Sequence, residues 1–312
     1  MVPTSYSAPL SGPTTAPPSA PEGAQASEPA PVALAGGAEP AWRLPSPPLV
    51  VADPSEVVVR GTQPTWLDRD LAAARDVQRA LLPPLEQHWR GVEIVADYRP
   101  AHQVGGDFFE VVPRARGRLT AVVGDVAGKG VAAALIMARV SGEFRRVARR
   151  GLRPARILAA VNGWLDEQDM CDRFVTAACV SLDLERAVWT VASAGHPAAL
   201  LFRRNGAMET LDEGGPGLGL GCVERWRCDE HEVPAQPGDT LLLMTDGLTD
   251  RLDAIDVAAA VKHATTDSGG SPTISLRDLK REIFDRVTTM PGSRDDATLL
   301  TLRLATALPD YC

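Results

Sequence analysis

The strand-like runs of this chain gather on either side of a pair of helical stretches instead of alternating one by one with helices. Val92–Tyr98, Phe108–Val112 and Leu119–Val123 come first, and helical periodicity then covers Val131–Arg149 and Pro154–Gln168. Strands resume at Val175–Leu184, Val188–Ser193, Ala199–Arg203 and Thr240–Met244. Helical patterns near Asp256–His263 and Leu276–Val287 precede a last strand, Thr298–Leu304. A parallel doubly wound sheet needs a crossover helix between its strands, so this order predicts an α+β fold with antiparallel sheets. No internal repeat is evident.

Charge and composition narrow the function. The 312 residues carry 32 Lys and Arg against 40 Asp and Glu, a net charge of −8. Binding to nucleic acid needs a basic field, so that class is disfavoured. No apolar run approaches the roughly 20 residues of a membrane span, and the N-terminus lacks the basic start and apolar stretch of a secretion signal. Five cysteines (Cys171, Cys179, Cys222, Cys228 and Cys312) form no C-x-x-C pair. A reducing cytoplasm and inert thiols are the expectation, with a redox-sensor role as the less favoured alternative.

Residues 1–50 hold 12 of the 26 prolines and ten alanines, with three acids and one base. Such a segment buries too little apolar surface to offset its ordering entropy, so residues 1–60 read as a disordered Pro/Ala-rich tail. The pattern changes at Trp66. Leu67, Leu71, Ala74, Val77 and Leu81 recur at steps of four and three, and Pro83-Pro84 stops the run. Residues 66–84 therefore form an amphipathic helix, which either packs on the domain behind it or pairs with a second copy to make a homodimer. The globular domain is expected over residues 85–306.

Four aspartates stand at strand ends. Asp107 opens the run Phe108-Phe109-Glu110-Val111-Val112, and Asp125 closes the run Leu119-Thr120-Ala121-Val122-Val123-Gly124. The polar Arg114–Arg118 connection makes these strands a hairpin, so the two acids meet at one edge. Asp246 closes Thr240–Thr245 and Asp295 precedes Ala297–Leu300, which repeats the arrangement if those strands are also antiparallel. Clustered carboxylates repel one another unless a cation compensates, and hard oxygen ligands select Mg²⁺ or Mn²⁺. Four carboxylates balance two divalent ions, and two such ions suit the displacement of a phosphoryl group. A single strand-end aspartate is ordinarily a turn or cap residue; the two matching pairs weaken that reading.

Five segments, in order, resemble the motifs of the bacterial PP2C-type serine/threonine phosphatases, in the SpoIIE/RsbU-like branch. They are Val104-Gly105-Gly106-Asp107-Phe108-Phe109-Glu110, Gly124-Asp125-Val126-Ala127-Gly128-Lys129-Gly130, Ala194-Gly195-His196-Pro197, Thr245-Asp246-Gly247-Leu248-Thr249 and Asp295-Asp296-Ala297-Thr298. Val77-Gln78-Arg79-Ala80-Leu81-Leu82-Pro83 resembles the helix that precedes the domain in this branch, where it serves dimerisation and regulation. The resemblance implies a four-layer α-β-β-α sandwich with two Mn²⁺ or Mg²⁺ ions at one end of the sheets. It implies that Asp125 bridges the ions, that Asp107 and the backbone carbonyl of Val126 serve one, and that Asp246 and Asp295 serve the other. It further implies attack on phosphoserine or phosphothreonine by a metal-bridging hydroxide, with several ligands acting through water. The substrate it suggests is a phosphorylated anti-anti-sigma protein of the STAS type. Two departures stand out. Lys129 occupies a place where relatives often carry His; the preferred reading is a local cation for the phosphate, and the alternative is a residue that only starts the following helix and faces solvent. Glu110 replaces the commoner Asp and reads as a residue just behind the ligands.

Other readings fare worse. Gly105-Gly106-Asp107-Phe108-Phe109 resembles the signature of diguanylate cyclases, but Phe108 stands where the adjacent acid is needed. Gly124–Lys129 has one residue too few for a P-loop, and Gly130 replaces the magnesium-binding hydroxyl. The glycine run 214–221 lacks the Rossmann spacing and reads as a loop. His196 invites a general-base role, yet a turn histidine bonded to its neighbours is the preferred reading. A non-catalytic binding module on a degenerate phosphatase fold remains the alternative from another class. Loss of metal acids would mark it, and all four are present.

Overall fold

The strands assemble into two antiparallel sheets. The computed structural model describes residues 65–168, 173–211, 219–267, 272–289 and 295–305, all of them in the unit Thr62–Cys312. The Pro/Ala-rich segment, Cys171, Cys312 and residues 214–218 of the glycine run lie outside the described residues. In chain order the elements are α1 (Trp66–Leu81), β1 (Glu86–Trp89), β2 (Val92–Arg99), β3 (Phe108–Arg114), β4 (Arg118–Val126), α2 (Gly130–Ala148), α3 (Pro154–Asp166), β5 (Val175–Asp183) and β6 (Val188–Ala194). There follow β7 (Ala199–Phe202), β8 (Met208–Leu211), β9 (His231–Pro234), β10 (Thr240–Met244), α4 (Asp246–Thr249), α5 (Ala254–His263), β11 (Thr265–Asp267), β12 (Pro272–Ile274), α6 (Leu276–Thr289) and β13 (Ala297–Leu304).

A six-stranded sheet runs β1-β2-β13-β10-β7-β8 and a five-stranded sheet runs β3-β4-β5-β6-β9, with β11 and β12 a separate pair. Side chains alternate between the faces of a strand, and in the six-stranded sheet both faces are buried. Leu241 and Leu243 of β10 and Leu300, Leu302 and Leu304 of β13 turn toward the five-stranded sheet, into one core shared with α2 and α3. Leu242, Met244 and Leu299 turn the other way, into a second core with Leu279, Ile283 and Phe284 of α6 and Val257 of α5. The layers are therefore helices, sheet, sheet, helices. Both faces being buried also explains why β10 and β13 read as nearly continuous apolar runs.

The helix expected from Trp66 is present and opens on a reciprocal cap: the Asp68 N–H donates to Thr65 Oγ1 at 3.1 Å and the Thr65 N–H donates to Asp68 Oδ2 at 2.8 Å. Its apolar stripe is largely uncovered. Trp66, Leu67, Val77 and Leu81 are exposed, while the polar Gln78 is 4% exposed. Among the described residues no helix is long and apolar enough to cross a membrane.

Candidate metal centre

The two aspartate pairs converge as the strand order predicts. β3 and β4 pair with Phe108 opposite Gly124, so one further step along each strand brings Asp107 and Asp125 face to face. β10 and β13 pair with Met244 opposite Leu299, and the Thr245 N–H donates to the Thr298 carbonyl at 3.1 Å. That register carries the ladder to the edge of Asp246, the first residue of α4, and of Asp295 just before β13.

Asp107 is completely buried and is the joint between the sheets. Its Oδ2 accepts the hydroxyls of Thr245 at 2.8 Å and Thr298 at 2.7 Å, both from the facing sheet. Among the described residues no donor reaches its Oδ1. Burial, followed by the charge of Asp125, pushes the Asp107 carboxyl well above its ordinary range. Asp125 is pushed up to about 7, first by burial and then by the charges of Asp246, Asp296 and Asp295. Asp246 is raised too, by partial burial and by Asp295. The four expected acids thus act on one another across a single site.

Lys129 stands at the N-cap of α2 and its Nζ donates to Asp295 Oδ2 at 2.8 Å. That bond raises the pKa of the ammonium, so it stays charged. Lys129 both starts the helix and directs its charge at the acid cluster, although its side chain is 44% exposed. Glu110, by contrast, lies away from the acids. It is buried on the outer face of the five-stranded sheet, accepting from Ser141 Oγ and from Arg145 Nε (2.9 Å) and Nη2 (2.7 Å), so it fastens α2 to β3. Alternation along β3 puts it on the face opposite Asp107's hydroxyl partners. His196 is 8% exposed and its Nδ1 lies 3.0 Å from Thr176 Oγ1, while its backbone N–H donates to Ser193 Oγ at 3.3 Å. Burial pushes its imidazole down to about 3, which leaves it neutral and suits the turn role.

Three residues join the site that sequence patterns did not single out. Asp296 is 4% exposed; its Oδ1 accepts the Ala101 N–H at 2.7 Å and its Oδ2 the Gly106 N–H at 2.6 Å. It ties the start of β13 to the loop that carries Asp107. Gln78 of α1 bonds the backbone of Gly105. Arg173 donates to the Ala127 carbonyl at 2.6 Å and so braces the loop between Asp125 and Lys129. The doubled acid Asp295-Asp296 was the one visible signal for Asp296; Gln78 lies within the Val77–Pro83 segment that resembles the branch's helix, though nothing there pointed to Gly105, and nothing local marks Arg173.

The donor set fits hydrated divalent cations. Every candidate is a hard oxygen, from Asp107, Asp125, Asp246, Asp295 or the Val126 carbonyl. Asp107 keeps one buried oxygen unpartnered. Beside it lies a recess that only glycine leaves open, because a Cβ on Gly106 would stand 2.7 Å from Val126 O and 3.1 Å from Asp125 Oδ1. Among the described residues, no three Asp, Glu, His or Cys side chains enclose a common point tightly enough to hold an ion unaided. An ion held here would take part of its coordination from water, as magnesium commonly does.

Known proteins resemble this chain in sequence and in fold. The family model for Stage II sporulation protein E (SpoIIE) matches residues 115–305. The phosphoserine phosphatase RsbU of Bacillus subtilis is 24% identical over 254 residues, which cover 78% of this chain and 72% of that one. The phosphoserine phosphatase RsbP of the same organism is 26% identical over 221 residues, covering 69% of this chain and 52% of RsbP. Among solved structures, the RsbU and RsbW domains of a Mycobacterium tuberculosis protein align with a TM-score of 0.59 and 26% identity, over 70% of this chain and 62% of that one. The SiaA-PP2C domain of Pseudomonas aeruginosa aligns with a TM-score of 0.57 and 23% identity, over 76% of this chain and 96% of the domain. With more than half its length matched, the two antiparallel sheets in place and the acids at their shared edge, the chain belongs to the SpoIIE family, as a PP2C-like protein-serine/threonine phosphatase of the SpoIIE/RsbU branch.

Proposed function

We propose that this phosphatase is dependent on Mn²⁺ or Mg²⁺, that it hydrolyses phosphoserine or phosphothreonine, and that its substrate is a phosphorylated anti-anti-sigma protein of the STAS type. The observation that carries the metal dependence is the mutual convergence of Asp107, Asp125, Asp246 and Asp295, with Asp125 pushed up to about 7 by burial and its acidic neighbours. The names of RsbU and RsbP as phosphoserine phosphatases support the substrate class.

Asp107, Asp125, Asp246, Asp295 and the carbonyl of Val126 would hold two ions. Bound there, divalent cations lower the pKa of water and offset charge on phosphoryl oxygens. The chain's own groups prepare the site. Thr245 and Thr298 fix the Asp107 carboxylate, leaving its Oδ1 free to ligate. Asp296 sets the position of Gly106, and Arg173 sets the loop after Asp125. Lys129 stays protonated at neutral pH, which suits it to hold a phosphate by charge and not to transfer a proton.

Phosphate release from a phosphoserine STAS protein, measured with Mn²⁺ or with EDTA, tests this reading. Turnover should require metal and vanish in Asp246→Asn. Absence of both turnover and Mn²⁺ binding in the wild type would overturn it and favour a non-catalytic binding module. The exposed Trp66, Leu67, Val77 and Leu81 support a homodimer through residues 66–84; a monomer in light scattering across a wide concentration range would count against that pairing.

A further inference from the structure

A second polar cavity opens on the outer face of the five-stranded sheet, at the end of the strands remote from the aspartates. Asp125 near the end of β4 and Arg118 at its start are seven steps apart, about 23 Å along an extended strand. The cavity has a volume of about 200 Å³. Arg114 and Arg118 enter it from the β3–β4 hairpin, Arg153 from the start of α3, Arg186 from the β5–β6 turn, and Ser181, Thr190 and one carboxylate, Asp183, from the sheet. Strand register explains the gathering: Arg114 pairs with Arg118, Thr120 with Ser181 and Ser181 with Thr190, so these side chains share a face.

Most of these cations are already matched. Arg118 bonds Asp183 at 3.0 Å, Arg153 bonds Glu230 and, at 2.6 Å, Glu232, and Arg186 reaches Glu232 at 3.4 Å. Arg114 is the exception. Among the described residues its Nη1 makes one long bond, to the Leu152 carbonyl at 3.3 Å, its Nε is buried without a partner, and no carboxylate hydrogen-bonds it. Thr190, from β6, is 6% exposed and lines the same cavity. Arg114 is half-buried near a second guanidinium, with Asp183 the acid that partly offsets the two charges, so a bound anion would be favoured there. Burial and the charge of Arg118 accordingly lower its pKa.

We propose that this cavity binds a small phosphate-class oxyanion, held by Arg114 and Thr190 with the guanidinium of Arg118 beside them. A tetrahedral oxyanion offers acceptors to several donors at once, which suits a planar guanidinium fork from β3 and a hydroxyl from β6 that line one cavity. The volume limits the occupant. It accommodates a phosphate and a few waters of roughly 30 Å³ each, but falls short of the roughly 300 Å³ at which pockets for larger ligands begin. That size suits the free ion.

Inorganic phosphate is the probe, titrated into the full chain in EDTA at constant ionic strength, with chloride as the control. EDTA leaves the aspartate cluster negative, so phosphate is repelled there. Calorimetry should show one phosphate per chain, and phosphate but not chloride should raise the melting temperature. Arg114→Gln should weaken phosphate at least about tenfold, the scale of one charge-assisted bond. Thr190→Val, which keeps the side-chain shape, should weaken it severalfold and decides the matter if the arginine variant fails to fold. Arg150→Gln, an exposed position outside the cavity, should bind as the wild type does. Phosphate binding no better than chloride, or unchanged in both cavity variants, would overturn the proposal.

Discussion

The side-chain amide of Gln78 brackets the backbone of Gly105: its Nε2 donates to the Gly105 carbonyl at 2.7 Å, and its Oε1 accepts the Gly105 N–H at 3.2 Å. The same oxygen accepts the Tyr98 hydroxyl at 2.9 Å. One residue on, Gly106 donates to Asp296, and the next residue is Asp107. Helix α1 is thereby joined to the acid cluster by polar contacts, although much of its apolar stripe faces outward.

Replacing Gln78 with Ala strands a buried N–H, a carbonyl and a hydroxyl. Each unpaired buried group costs about 1–3 kcal/mol, and water entering the space left behind recovers part of that. A net loss of about 2 kcal/mol is expected, read in urea as a lower midpoint with an unchanged slope. An unchanged midpoint would show that α1 is held by other means.

Gly106 makes a sharper test of the metal centre. A methyl group there meets the Val126 carbonyl at 2.7 Å, and a backbone atom cannot simply turn aside. Gly106→Ala should keep the fold but lower Mn²⁺ affinity about tenfold or more, in the range seen when groups around a metal site are disturbed. Calorimetric titration of Mn²⁺ reads this directly, and wild-type affinity would sink the assignment of the Val126 carbonyl.

How far the sequence reached follows from where each signal lives. Strand-end aspartates were legible because an antiparallel hairpin fixes which residues meet, so Asp107 and Asp125 follow from the loop between them. The central strands were legible because burial on both faces demands apolar residues at every step. Strands β1, β8 and β9 lie at sheet edges, where one side of the ladder is unpaired and mixed sequences such as Glu86–Trp89 and His231–Pro234 suffice. Gln78 was hidden for a different reason. Periodicity draws attention to the apolar stripe of α1 and leaves open what covers it, whereas the residue that faces the domain is the polar Gln78, with Val77 exposed, and Gln78's partner Gly105 lies 27 positions further on. Glu110 reads from its motif as a neighbour of the acids, but strand alternation turns it to the opposite face.

The acid cluster should make the metal-free protein less stable as pH rises. Asp125 is pushed up to about 7, whereas an unfolded aspartate titrates near about 3.9. The folded chain therefore keeps a proton that the unfolded chain has released. This contribution is fully present below about pH 4 and is lost as pH climbs through about 7. In EDTA, the melting temperature should increase as pH falls from 8 to 5.5, and Asp125→Asn should flatten that profile. Mn²⁺ favours the ionised carboxylates, so its stabilising effect should be larger at pH 8 than at pH 5.5. A flat wild-type profile would mean that these acids do not repel one another.

Asp295 and Asp296 are adjacent in sequence and divide two tasks. Asp295 is exposed, accepts the Asp296 N–H at 3.0 Å and forms an ion pair with Lys129, and an ion pair of that kind is worth about 0–1 kcal/mol. Asp295→Asn should leave stability within about 0.5 kcal/mol of the wild type while weakening Mn²⁺ binding, since it removes a ligand charge. Asp296 is buried and accepts two backbone N–H groups, from Ala101 and Gly106. An asparagine there must turn its NH₂ toward one of those donors, leaving a buried N–H unpaired at a cost of about 1–3 kcal/mol. Asp296→Asn should therefore lower the unfolding midpoint, and it should weaken Mn²⁺ only indirectly, by releasing the loop that positions Asp107. Urea denaturation and Mn²⁺ titration of both variants separate the roles. Equal stability in the two would show that Asp296 does not hold the loop, and undiminished Mn²⁺ affinity in Asp295→Asn would remove Asp295 from the ligand set.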